Sequence, residues 1–125
     1  VKDLPEIWND KMNAYLGIVP HGDDDGVLQD IHWSLGAFGY FPTYALGNVV
    51  SCQIWDLATN ENPGLSKEIR NGEFDTLGSW LKTTLYVHGA KFEPSDLMVR
   101  IAGEAINPEP YLRYLNDKFS RIYGF

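Results

Sequence analysis

At 125 residues and 14.1 kDa the chain has room for one domain and is too short for two. It is 44% hydrophobic and 14% aromatic, which excludes a disordered chain and allows a core without disulfide staples. A net charge of −7 and a pI near 4.7 exclude nucleic-acid and anionic-membrane binding, because both draw on clustered Lys and Arg.

The elements read as helices from end to end. Trp8, Met12, Tyr15 and Leu16 mark a first helix over about residues 5–16, stopped by Gly17. After the turn Pro20-His21-Gly22 comes the acidic run Asp23-Asp24-Asp25. Three carboxylates ahead of Val27, Leu28 and Ile31 read as the first turn of a helix, where they face free N–H groups and the positive dipole end. Calcium binding is the sharper alternative, but the alternating oxygen ligands and distal Glu of an EF-hand are missing. Gly36 to Pro42 is a glycine-aromatic loop that suits a close backbone approach. Pro42 then opens a helix whose stripe is Leu46, Val49, Val50, Gln53, Ile54 and Leu57. Cys52 sits inside that helix as a small packing residue, since nothing near it in sequence would activate a thiolate.

A short amphipathic piece carries Leu65 and Ile69 and closes at Gly72. Phe74, Leu77, Leu81, Leu85 and His88 repeat at helical spacing, with Trp80 beside them, up to Gly89. Pro94-Ser95 opens a helix with Leu97, Ile101, Ala102 and Ala105 on one face, and Asn107-Pro108 starts a last one through Leu112, Leu115, Phe119 and Ile122. No stretch alternates with a period of two, so the expected fold class is all-α, with six or seven helices in one segment spanning 1–125. No apolar run approaches the roughly 20 residues that cross a bilayer. The first residues look like neither a signal nor a transit peptide, and the missing initiator Met suits a processed or excised chain.

Chemistry is sparse. The three histidines, His21, His32 and His88, are far apart, and no pair has the spacing of a helical zinc site. His21 belongs to a solvated turn, and His88 reads as a structural residue near a helix end. His32 has Gln29 and Asp30 nearby to orient it, although a satisfied structural histidine is the plainer reading of residue types alone. Tyr40 and Tyr44 follow the glycine-aromatic loop, and a phenol is a neutral donor that can reach a developing oxyanion. A half-buried packing role suits them equally. HExxH, a nucleophile elbow and phosphate-binding glycine motifs are all absent.

Two adjoining motifs are more specific. Gly26-Val-Leu-Gln-Asp-Ile-His-Trp33 and Gly36-Ala-Phe-Gly-Tyr-Phe-Pro-Thr-Tyr-Ala-Leu-Gly47 resemble the signature of the thermostable zinc carboxypeptidase family, the Taq-type metallocarboxypeptidases. Leu4-Pro-Glu-Ile-Trp-Asn9 and Tyr15-Leu-Gly17 resemble the family's approach to that signature. Gly72-Glu-Phe74, Trp80-Leu81, Gly103-Glu104, Asn107-Pro108, Tyr114-Leu115 and Lys118-Phe-Ser-Arg-Ile-Tyr123 resemble its C-terminal tail. The likeness covers essentially the whole chain and implies the C-terminal part of a longer catalytic domain.

In that family a zinc ion, or cobalt in its place, activates a water, and the HExxH glutamate is the general base that helps remove single residues from a free C-terminus. The resemblance implies that the zinc ligands lie upstream, and that this segment forms one wall of the cleft and is inactive alone. Related oligopeptidases place a His and a Tyr about a dozen residues apart, the separation of His32 and Tyr44. The implied roles are Tyr44 as oxyanion donor and His32 as a substrate or transition-state hydrogen-bond partner. Tyr40 would line the cleft, and Gln29 and Asp30 would fix the tautomer of His32. Leu35 departs from a loop that is often richer in glycine, which bears on its mobility. The implied partners are a peptide with a free C-terminus, the missing N-terminal part and a second copy, in the cytoplasm. Two other classes fit the composition: a non-catalytic helical interaction or dimerisation module, and an aromatic carbohydrate-binding module, which would normally be built from strands.

Overall fold

Prolines and glycines set the ends of most helices. The computed structural model describes residues 1–125. Seven α-helices appear and no strand: α1 Leu4–Leu16, α2 Ile31–Ser34, α3 Pro42–Glu61, α4 Leu65–Arg70, α5 Asp75–Thr84, α6 Pro94–Ala102 and α7 Glu109–Tyr123. Pro5, Pro94 and Pro110 stand in the first turns of α1, α6 and α7, where a missing N–H costs nothing. Gly17, Gly103 and Gly124 close the same three helices. None of the helices is long and apolar enough to cross a membrane. The chain divides into two compact units, Val1–Thr43 and Tyr44–Phe125.

Three expectations change. The acidic run does not open an α-helix. Asp23, Asp24 and Asp25 lie in a turn in which the Asp23 carbonyl accepts from Gly26 and Leu28, and a 3-10 turn Val27–Gln29 follows. Gly26 breaks the helical path with φ −120° and ψ −116°. The stripe from Phe74 to His88 is not one helix either. α5 ends at Thr84 and a 3-10 turn Tyr86–His88 follows. There the His88 N–H reaches the Leu85 carbonyl, three residues back instead of four. Ala105 lies beyond the end of α6.

In the first unit, Val27 is the buried hydrophobic residue. Trp8 of α1 meets Trp33 of α2 edge-on at 6.2 Å, and Trp33 stacks on Phe38 at 6.1 Å. Such pairs add about 0.5–1.5 kcal/mol beyond area burial, which is appreciable for a unit of this size.

In the second unit, Ala58 of α3, Leu65 of α4 and Trp80 of α5 form the core, with Ile54, Leu57, Ile69, Leu77 and Leu81 packed against it. Trp80, which the periodicity placed beside its stripe, is the buried residue of α5, and its Nε1 donates to Glu61 at 2.6 Å. Phe74, Leu46, Leu112 and Ile122 are exposed ends of their stripes. Gln53, which periodicity placed on the apolar face of α3, is the buried polar side chain, only 3% exposed. Cys52 is half-buried beside it.

Leu65 is 1% exposed, so Leu65→Ala is expected to lower unfolding free energy by about 2–5 kcal/mol through lost burial and a residual cavity. Leu46→Ala, at an exposed position, is expected to change it by no more than about 0.5 kcal/mol. Urea unfolding followed by Trp fluorescence measures both, and equal losses would place the core elsewhere.

Candidate active site

Asp30 organises the neighbourhood of His32. Its backbone is extended, with φ −81° and ψ 92°, and its side chain caps α2. Oδ1 accepts from the His32 backbone N–H at 2.9 Å and also pairs with His32 Nδ1 at 2.8 Å. A carboxylate can only accept, so Nδ1 carries the proton. In the neutral ring Nε2 is then the acceptor, and it becomes a donor once the ring is protonated. The Asp30 side chain is 7% exposed and that of His32 19%, so the contact is shielded and stronger than a surface pair.

Two rings complete the surroundings. Tyr40 lies over the imidazole at 5.2 Å with a 31° tilt, and Phe41 meets it edge-on at 5.3 Å. The loop that brings them back is built from the α2 end. Gly36 N–H donates to Trp33 O, Ala37 N–H to His32 O at 2.8 Å, and Tyr40 N–H to Ala37 O. Gly36 and Gly39 hold φ of 75° and 76°, a region costly for any residue with a Cβ. Thr43 then clamps the turn: its Oγ1 donates to Tyr40 O at 2.6 Å and its N–H to the same oxygen at 3.0 Å.

The structure therefore brings Asp30, His32 and Tyr40 together and adds Phe41. Phe41 was visible in sequence only as part of the aromatic loop, and nothing in its spacing set it apart. The Gln29 amide donates to the Asp24 carbonyl and so ties down the acidic turn that precedes α2. Tyr44 is the third residue of α3, 53% exposed, and belongs to the second unit. Leu35 follows α2 directly and is exposed. Of the remaining histidines, His21 is exposed, and His88 packs edge-on against Phe92 at 5.6 Å, with Arg100 over the same ring at 4.4 Å.

Comparison with known proteins gives these residues a context. The model of the carboxypeptidase Taq (M32) metallopeptidase family matches residues 1–119. The chain belongs to that family. It is 41% identical over 123 residues to thermostable carboxypeptidase 1 of Thermus thermophilus, covering 98% of this chain and 24% of the relative. It is 39% identical to carboxypeptidase 1 of Bacillus subtilis, covering 98% and 25%. Among solved structures, a carboxypeptidase of the same family from Deinococcus radiodurans superposes with a TM-score of 0.91 at 38% identity, covering 99% and 25%. The Pyrococcus furiosus carboxypeptidase gives 0.89 at 37%, covering 94% and 24%. The chain thus spans about a quarter of the length of the carboxypeptidases it matches, and the all-α fold is that of the family's helical part.

The residues present do not fit a zinc site. No three His, Cys, Asp or Glu side chains converge on a point that could hold a metal ion.

Asp30→Ala is expected to release the ring. Nitrogen-15 NMR of neutral His32 is expected to move from the Nδ1–H form toward the Nε2–H form, with about 1 kcal/mol of stability lost with the cap. An unchanged tautomer would show that Asp30 does not set it.

Proposed function

We propose that these 125 residues form one wall of the substrate cleft of a metallocarboxypeptidase, within a catalytic domain that includes further chain. The observation that carries the reading is the Asp30-held His32, flanked by Tyr40 and Phe41, inside a segment matched to the family from residue 1 to 119. His32 would hydrogen-bond the peptide or the transition state through Nε2. The Tyr44 hydroxyl would donate to the oxygen that gains charge as the scissile carbonyl is attacked. Tyr40 would line the cleft beside the histidine. Asp30 would fix the tautomer, and Gln29 would support it by holding the preceding turn. The substrate would be a peptide with a free C-terminal carboxylate.

Zinc, or cobalt in its place, would be held by residues outside these 125, so the chain alone would be inactive. The missing N-terminal part of the enzyme and a second copy of the protein are the proposed partners, and the cytoplasm the proposed location. The exposed area supports a covered surface. It is 9354 Å², against about 6,700 Å² for a folded monomer of this mass and about 8,000 Å² for two separate bodies of these sizes. Ile7, Tyr15, Leu16, Ile18 and Val19 are among the exposed apolar side chains. The same surface favours the alternative, a helical interaction module that self-associates without catalysis.

Hydrolysis of an N-blocked dipeptide with zinc added separates the two. The chain alone is expected to be silent, and mixing it with the remaining part of the enzyme is expected to restore activity. In the assembled enzyme Tyr44→Phe is expected to lower kcat by about 10²–10³, the cost of one lost oxyanion donor. No activity on mixing, with concentration-dependent oligomers in light scattering, would favour the interaction module. A kcat within about threefold of wild type would remove Tyr44 from the mechanism.

A further inference from the structure

We infer that Gln53 is a positioning residue for Tyr44, acting through the rigid body of α3; the inference rests on the role proposed for Tyr44. Both residues lie on α3 and in the same unit. Residues 42–48 of α3 are exposed, Val49 and Val50 are half-buried, and Gln53 is the first buried residue reached from the Tyr44 end. It is also the point at which α3 is tied to distant chain. Its Nε2 donates to Glu104 Oε1 at 3.1 Å and to the Ala105 carbonyl at 3.0 Å, and its Oε1 accepts from the Asn107 backbone N–H at 3.1 Å. Both amide hydrogens and the carbonyl are therefore used.

The far side of this tie is itself anchored. Asn107 Nδ2 donates to the Glu104 carboxylate at 3.3 Å, and Asn107 Oδ1 accepts from the Glu109 N–H at 3.0 Å, at the start of α7. Gln53 thus sets the direction of α3 against the turn that launches α7.

Geometry makes this matter for Tyr44. Nine residues of helix separate the two, about 13 Å at 1.5 Å per residue. A tilt of about 5° at Gln53 moves the Tyr44 end by about 1 Å, and a misplacement of that size can cost about 10²-fold in rate. An apolar residue of the same volume would fill the space and lose the angular definition that three directed bonds supply. The exposed ion pair of Asp56 with Arg113, 2.5 Å apart, also joins α3 to α7. Surface pairs of this kind contribute little because solvent screens them, so it does not replace the buried amide.

A double-mutant cycle in the full-length enzyme carrying this segment tests the inference. Gln53→Met is expected to lower kcat about 10–100-fold with KM within about threefold. In the Tyr44→Phe background the same change is expected to cost less than about twofold, because the group it positions is gone. Glu104→Ala, at an exposed position, removes one of the two acceptors without opening the core. It is expected to lower kcat about 3–10-fold, again only while Tyr44 is present, and it decides the matter if Gln53→Met fails to fold. If Tyr44→Phe lowers kcat but the Gln53 or Glu104 losses persist in full in its background, or are absent, Gln53 does not position Tyr44. If Tyr44→Phe has no effect, the role of Tyr44 and the inference fall together.

Discussion

The second unit hinges on one buried amide. Gln53 is 3% exposed and spans more than 50 residues of sequence to reach Glu104, Ala105 and Asn107. Burying an amide without partners costs about 1–3 kcal/mol by mutational data, so this position is acceptable only because each polar atom is matched. The converse is that the match is directional: α3 and the 104–107 turn can meet in one geometry and keep all three bonds. The apolar contacts of Ala58, Leu65 and Trp80 supply burial, which is tolerant of small rotations. The amide supplies the orientation that burial leaves open.

Asp30 has the corresponding part in the first unit, through a single oxygen. Its Oδ1 receives both the N–H that starts α2 and the Nδ1–H of the histidine on that turn. Capping and tautomer selection are therefore one event. A four-residue helix such as α2 has little stability of its own, so its cap matters. The consequence for chemistry is that the carboxylate which holds the His32 ring is itself held in place by the backbone it caps.

Membership of the carboxypeptidase Taq family, with coverage of about a quarter of each relative, makes the large exposed apolar area intelligible. Tyr15, Leu16, Ile18, Val19, Ile122 and Tyr123 lie at the surface of this chain. A stretch that packs against further chain keeps the amphipathic period of a helix yet has nothing to bury part of it against. In the cleft-wall reading proposed above, α1, which has no buried residue despite a clear apolar stripe, would meet that further chain.

Most helices were legible because their ends carry proline and glycine and their interiors carry a 3.6-residue period. The motifs at 26–47 were legible because their residues are specific. The illegible parts follow from what local patterns lack. Periodicity placed Gln53 on the apolar face, and it could not tell that an amide there would find three partners more than 50 residues away. It carried the α5 stripe through to His88, although α5 ends at Thr84 and the chain tightens into a 3-10 turn at Tyr86–His88. It read Asp23 to Asp25 as a helix start, whereas Gly26 turns the chain out of the helical path. The proximity of Asp30 to His32 was readable, being two residues, and the approach of Tyr40 and Phe41 was not, because it depends on the path of the loop through Gly36 and Gly39. By itself the sequence determined the all-α class, the helix starts that proline marks and the family, since these depend on local sterics and residue identity. Only the tertiary structure decided which face of each helix is buried and which partners saturate Gln53, because those depend on contacts distant in the chain.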